Sequence, residues 1–369
     1  MSPTVLPRPS AADTASGRRR ATRGRLLLIA LGGACLISGL NAGLIRLEVW
    51  APVASDRAGD VHGLVMVLGF LGTLISLERA QSLGRSWAYL APALYGAGGL
   101  ALLTPAPMLL GQLLLIEAGV LFVAVYLALW RRAPRALVAV QVLSAVLALG
   151  GAVVATLVDV TVALPWLAGF VVLTIAAERA ELAQLTMGPR ADVELLGLAA
   201  ALTVATLAAL TMPAVGGRLV GVALLAVAGW LLVHDVVRRQ LRLIGQRRYL
   251  AAALLAGYLN LALAGAVLAW SGLTTDRGSY DVVVHGVFLG FALSMVMAHA
   301  PVILPAVLGC DLPYRPVLWL PLGLLHAGLA LRFSGALGGW DAGWQAGGVV
   351  TVLALLVFLV TAITLVVRR

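Results

Sequence analysis

Apolar runs broken by short polar connections fill the sequence from about residue 25 to its end. Roughly 20 apolar residues are needed for a helix to cross the hydrocarbon core of a bilayer, and runs on this scale are read as membrane spans. Twelve are predicted, near 25–47, 60–80, 86–104, 107–130, 135–158, 161–186, 193–213, 217–237, 249–272, 279–302, 313–335 and 345–367. The seventh and eighth are separated only by Pro213 to Gly217, which makes that boundary the softest. Residues 1–24 are rich in Pro, Ser, Ala and Arg and hold too few apolar side chains to pack, so a disordered tail is expected there. The run from Arg25 to about Ile45 is long for a signal peptide and lacks a convincing small-residue cleavage site. It is taken as the first span of a single transmembrane domain, 25–369, with no room for an inserted soluble unit.

Composition agrees with an all-α polytopic membrane protein: 61% of residues are hydrophobic, 11% are charged, and the mean hydropathy is +1.01. The 41 glycines suit helices that approach closely in lipid. All 26 basic residues are arginine, giving a net charge of +10 that on its own would suit a nucleic-acid partner. They lie instead in short blocks between apolar runs, as membrane orientation requires. With a cytoplasmic N-terminus, all but Arg46, Arg57, Arg218, Arg277 and Arg332 fall inside, a bias that requires an even number of spans and both termini in the cytoplasm. A multi-pass protein of the bacterial inner (cytoplasmic) membrane, with the lipid bilayer as its constant partner, is the expectation. Trp50, Trp87, Trp130, Trp270, Trp340 and Trp344 cluster at span ends as an aromatic belt. Cys35 and Cys310 do not form a disulfide framework.

Candidate chemistry concentrates in two histidine-glycine pairs, His62-Gly63 and His285-Gly286, each near the start of a long apolar run. A histidine inside a span is costly and normally faces the bundle interior with a partner. The second and tenth spans run in the same direction, and counting from Asp60 and Asp281 places the two imidazoles within about 3 Å in depth. They can therefore clasp one iron near the outer face. The glycine after each histidine removes bulk and leaves room for a flat macrocycle. A helix start disfavours imidazolium, which keeps a nitrogen free to ligate. The plain alternative is a pair of hydrogen-bonded interfacial histidines.

The stretch His62-Gly63-Leu64-Val65-Met66-Val67 resembles the second-helix motif of heme-copper oxidase catalytic subunits, whose histidine ligates the low-spin heme. Those subunits also have twelve helices and take their second low-spin ligand from the tenth, the role that falls here on His285. The chain also resembles the NnrS family, twelve-span heme-binding proteins associated with nitric oxide and nitrosative stress, in its tenth span and the proline-rich turn after it. The resemblance implies an oxidase-like or NnrS-like bundle binding one b-type heme, with a redox partner or a small gaseous ligand.

The departures from the oxidase pattern are informative. The sixth and seventh spans carry no histidine, and the tenth reads Val283-Val284-His285 where the oxidases have His-x-His, so copper and a dioxygen-reducing centre are not expected. Where NnrS carries His-x-His on the second helix this chain has Asp60-Val61-His62, and Asp60 can hydrogen-bond a ligand or a propionate-bound water. His299 follows His285 by 14 residues, returning to nearly the same face about 21 Å deeper. A second bis-histidine heme would need a partner where Ser76 stands, so His299 is read chiefly as capping carbonyls freed by Pro301 and Pro305.

An internal echo links Leu77-Glu78-Arg79-Ala80, Ala177-Glu178-Arg179-Ala180 and Ala298-His299-Ala300, four spans apart each time. Glu78, Arg79, Glu178 and Arg179 can pair across helices or snorkel separately to the interface. Glu117, mid-way along the fourth span, is a deep carboxylate suited to proton movement or to a protonated, hydrogen-bonded state. No Walker loop, dinucleotide fingerprint, HExxH or nucleophile elbow is present. The competing function classes are a secondary transporter without cofactor, to which twelve spans and a weak repeat are equally natural, and a membrane assembly factor.

Overall fold

The computed structural model describes residues 11–188, 190–273, 276–308 and 312–367. Residues 1–10 of the expected tail, Cys310 and the terminal Arg368 and Arg369 lie outside them. Long helices account for the described chain, and no strand occurs among its residues. In order they are α1 (Ala11–Arg46), α2 (Ala58–Leu83), α3 (Leu90–Ala101), α4 (Met108–Arg132), α5 (Ala136–Leu157), α6 (Leu164–Leu182), α7 (Ala191–Thr211), α8 (Pro213–His234), α9 (Gly245–Ser271), α10 (Arg277–Leu308), α11 (Trp319–Gly338) and α12 (Asp341–Val367).

Ten of these are long and apolar enough to cross a membrane. The other two are α3, which even with the 3₁₀ turn Ser86–Tyr89 is short, and α6, which closes on Glu178-Arg179-Ala180-Glu181. Several helices start earlier than expected. α1 begins at Ala11, ahead of the first expected span at residue 25. α8 begins at Pro213, separated from α7 only by Met212, because a proline at the first position of a helix loses no hydrogen bond and starts the new segment there.

Three helices form the centre. In α2 and α10, 72% of the most apolar stretch is buried, against 22% in α12, and α6 is buried along almost its whole length from Leu164 to Ala180. These three share a register that the echo only hinted at. Gly69-Phe70, Gly169-Phe170 and Gly290-Phe291 each stand nine residues before Glu78, Glu178 and His299 respectively. The glycine is a crossing point every time: a Cβ on Gly69 would come within 3.1 Å of Gly99 on α3, one on Gly169 within 2.8 Å of Leu147 on α5, and one on Gly290 within 2.5 Å of Asn260 on α9. Without a hydrophobic force between helices in lipid, such close approaches carry the packing.

α2 and α10 share a further irregularity. Both widen into a π-helix, over Val65–Gly72 and Gly286–Leu293, directly after the turn that bears the histidine. π-segments tend to mark functional sites, because the extra residue per turn re-aims the side chains that flank it. Beyond the π-segments the two helices pack together, Thr73–Leu83 against Ser294–Leu308. At their histidine ends a cavity lies between them.

Candidate functional site

The cavity has a volume of about 370 Å³, within the range of small-molecule and cofactor sites. His62 and His285 both line it, so the structure brings together the two histidines that the sequence singled out. Its floor is apolar, made by residues such as Met66, Leu71, Leu167, Phe288 and Leu293, and its mouth is charged, with Arg46, Asp60 and Arg277.

Each imidazole is fixed through Nδ1. The His62 Nδ1–H donates to the Gly39 carbonyl of α1 at 2.9 Å, and the ring lies against Gly43, where a Cβ would come within 3.2 Å of its Cε1. Gly39 and Gly43, one helical turn apart, thus let α1 approach closely enough to hold the ring. The His285 Nδ1–H donates to the Asp281 carbonyl at 3.0 Å and lies 3.2 Å from Asp281 Oδ1. Asp281 is gripped in turn by Arg332 of α11 in a two-pronged pair, Nε to Oδ2 at 2.8 Å and Nη2 to Oδ1 at 2.7 Å. Both residues of this pair are buried, and the Arg332 guanidinium lies 5.6 Å from the Trp344 ring of α12. Arg277 stacks on the other part of this arrangement, 4.4 Å from the same ring, and pairs with Asp341. Tying Nδ1 of a histidine to a carbonyl or carboxylate sets its tautomer and leaves Nε2 with a free lone pair, the arrangement metal-binding histidines use.

The start of α10 is held by a proper cap. The Asp276 carboxylate accepts from the Ser279 backbone N–H at 2.9 Å, which keeps this carboxyl below its ordinary range and fixes the turn that carries Asp281.

The two glycines differ in role. Gly63 lines the cavity, with Val160 at 3.7 Å from the place of a Cβ. Gly286 does not make room for a macrocycle: it faces α9, where a Cβ would lie 3.0 Å from Ala264 and 3.2 Å from the Asn260 carbonyl. It is a helix-crossing glycine, as Gly290 is.

The remaining candidates lie elsewhere. His299 is buried on α10, its Nδ1–H donating to the Met295 carbonyl at 2.9 Å, while Nε2 has no partner. It does not cap carbonyls freed by the prolines, and the helix runs on through Pro301 to Leu308. The Met297 carbonyl, which Pro301 cannot bond, receives the Tyr249 hydroxyl at 3.3 Å instead. His326 is held from both sides, by Asn260 at 3.3 Å and Ser294 at 3.0 Å. His234 pairs with Glu194 at 3.1 Å and stacks on Trp230.

At the other end of the central helices the ionic residues are paired, not snorkelling separately. Arg79 of α2 reaches Glu178 of α6 at 2.9 Å, Glu78 at 3.1 Å and Glu181 at 3.6 Å. Arg179 turns away from this group to grip the fully buried Asp235 carboxylate, Nε to Oδ2 at 2.6 Å and Nη2 to Oδ1 at 3.0 Å, with the Tyr258 hydroxyl donating to Oδ2 at 2.7 Å. Glu117 faces outward from α4 on the exposed side of the bundle, away from both groups.

Sequence reasoning missed Arg332 and Asp235 as partners, and used Asp281 only as a depth marker. The signal for Asp281 was its place four residues before His285, which puts both on one helix face. Arg332 and Asp235 were legible only as charges within or beside apolar runs.

No curated protein and no solved structure matches the chain. A family model described as a domain of unknown function, DUF8744, covers residues 25–367, nearly the whole sequence, and the chain belongs to that family.

Proposed function

We propose that the protein is a heme-binding membrane protein in which Nε2 of His62 and Nε2 of His285 hold the iron of one b-type heme inside the cavity between α2 and α10. The observation that carries this reading is the pair of imidazoles lining one cavity, each with Nδ1 committed to an acceptor. The surroundings suit the group: an apolar floor for a macrocycle and arginines at the mouth for its carboxylates. A heme held there would supply reversible one-electron redox chemistry. The chain's own part is to hold both rings in one tautomer, to exclude water with Met66, Phe288 and Leu293, and to hold Asp281 against His285 through Arg332.

The same reading takes the bundle as twelve spans of the oxidase or NnrS kind, with the cavity toward the outer face and both termini in the cytoplasm. The arginine distribution supports the orientation, and the three-fold Gly-Phe register of α2, α6 and α10 supports the likeness to oxidase-type bundles over the transporter alternative, whose repeats come in pairs. An electron-transfer or nitrosative-stress role follows from that likeness. The test is the visible spectrum of the protein purified from cells supplied with heme precursor: a low-spin b-type spectrum at one heme per chain is expected. A colourless protein that also fails to take up added hemin would overturn the reading.

A further inference from the structure

The group around Arg79 is distinct from the histidine cavity and lies at the opposite end of the central helices. One guanidinium there faces three carboxylates. A single nitrogen, Arg79 Nη2, donates to Oε1 of both Glu78 and Glu178, at 3.1 and 2.9 Å, and Nη1 stands 3.6 Å from Glu181. Two carboxylate oxygens that share one donor atom are held close to each other, and a single positive charge cannot neutralise both. Glu178 is largely enclosed, its side chain 19% exposed, whereas Glu181 at 56% is open to solvent. Two carboxylates that share a site disfavour each other's ionisation, which favours retention of a proton on one of them.

A second feature points at the same place independently. The Tyr126 hydroxyl of α4 is fully buried, has no hydrogen-bond partner, and sits among the electrostatic neighbours of Arg79 and the three glutamates. Arg79 Nε is likewise buried and without a partner. A buried polar group left unbonded is costly, so two of them at one carboxylate cluster mark a place completed by something that both donates and accepts. His299, on the adjoining part of α10, has Arg179 and Asp235 as its charged neighbours and is not part of this group.

We infer that Glu78, Arg79, Glu178 and Tyr126 form a proton-binding site, in which one exchangeable proton is shared between Glu78 and Glu178 and reaches water past Glu181. The proton comes from water and returns to it, with only O–H bonds made and broken. The Arg179–Asp235 pair beside it is balanced one to one.

The experiment is infrared difference spectroscopy of the purified full-length protein in lipid nanodiscs, stepped in pH, in H₂O and D₂O. A protonated carboxylic acid band present at neutral pH, shifted by D₂O and lost on raising pH, is expected in the wild type. Glu178→Gln should remove it, Tyr126→Phe should keep the band while displacing its titration midpoint, and Glu117→Gln should leave this titrating band in place. Should Glu178→Gln fail to fold, Glu78→Gln and Tyr126→Phe carry the same test. A band unchanged by both glutamine variants, or no titrating band at all, would overturn the site. None of these outcomes depends on whether the histidine cavity is loaded.

Discussion

The two ends of the central bundle are built from the same parts and put them to different use. At the cavity end, Arg332 grips Asp281 with two hydrogen bonds, and the third partner of the carboxylate is an imidazole that faces open space. At the far end, Arg179 grips Asp235 in the same two-pronged way, but the third partner is the Tyr258 hydroxyl, and the carboxylate is sealed. A buried arginine-carboxylate pair is thus no sign of a site by itself. What separates the two ends is whether the pair positions a group with an unused lone pair against a void.

Breaking either pair tests this most strongly. Removing one partner of a buried ion pair leaves a charge uncompensated and costs about 3–5 kcal/mol. Asp281→Ala and Asp235→Ala are therefore expected to destabilise the protein to similar extents, read as a fall in thermal unfolding temperature in detergent. Only Asp281→Ala should also disturb the spectrum of the proposed heme. Loss of colour on Asp235→Ala in protein that remains folded would show that the ends are coupled and that the comparison is wrong.

A gentler change sharpens the contrast. Asp281→Asn keeps the shape and removes the charge that holds the His285 tautomer, and changes of this kind beside metal-binding histidines weaken affinity about 10- to 100-fold. Hemin titration of the apoprotein should show that loss, and Asp235→Asn should show none. Unchanged hemin affinity in Asp281→Asn would mean that His285 is held by its backbone contact alone.

The glycines provide a smaller effect. A methyl at Gly286 meets Ala264 and the Asn260 carbonyl of α9 and should cost about 1–3 kcal/mol of stability as overpacking, without altering the spectrum of the folded protein. A methyl at Gly43 instead presses on the His62 ring and should alter the spectrum. The smallest change is expected at Glu117: as an outward-facing residue with no partner, Glu117→Gln should stay within about 0.5 kcal/mol of wild type in thermal unfolding. A larger loss would mean that the exposed side of α4 is covered in the membrane.

The helices and the two histidines were readable from the chain because apolar run length and an imidazole inside such a run are both local signals. Even there, α3 and α6 stop short of the length or apolarity their runs promised, since the 3₁₀ turn at Ser86–Tyr89 and the charged close of α6 use up part of each. The partners of the histidines were not readable. Gly39 and Gly43 lie in α1 and Arg332 in α11, brought to α2 and α10 only by packing, and nothing in the spacing of a single segment announces such contacts. The π-segments were hidden for another reason: in both helices they arise within runs whose composition suits an α-helix equally well. Gly286 shows the converse hazard, a residue whose position beside a histidine suggested one purpose while its face serves another. The Arg79 group was half visible, as the repeated Glu-Arg pair, but the repeat gave no hint that Arg179 would leave its glutamate for Asp235.

Both imidazoles are proposed to hold one iron. The direct measurement is low-temperature electron paramagnetic resonance, with a heme-to-protein ratio, on oxidised wild type, His62→Ala, His285→Ala and the double variant, all purified in the same way. The wild type should give a low-spin signal at one heme per chain, each single variant a high-spin signal or loss of heme, and the double variant no bound heme. A double variant that remains fully loaded and low-spin would contradict the assignment.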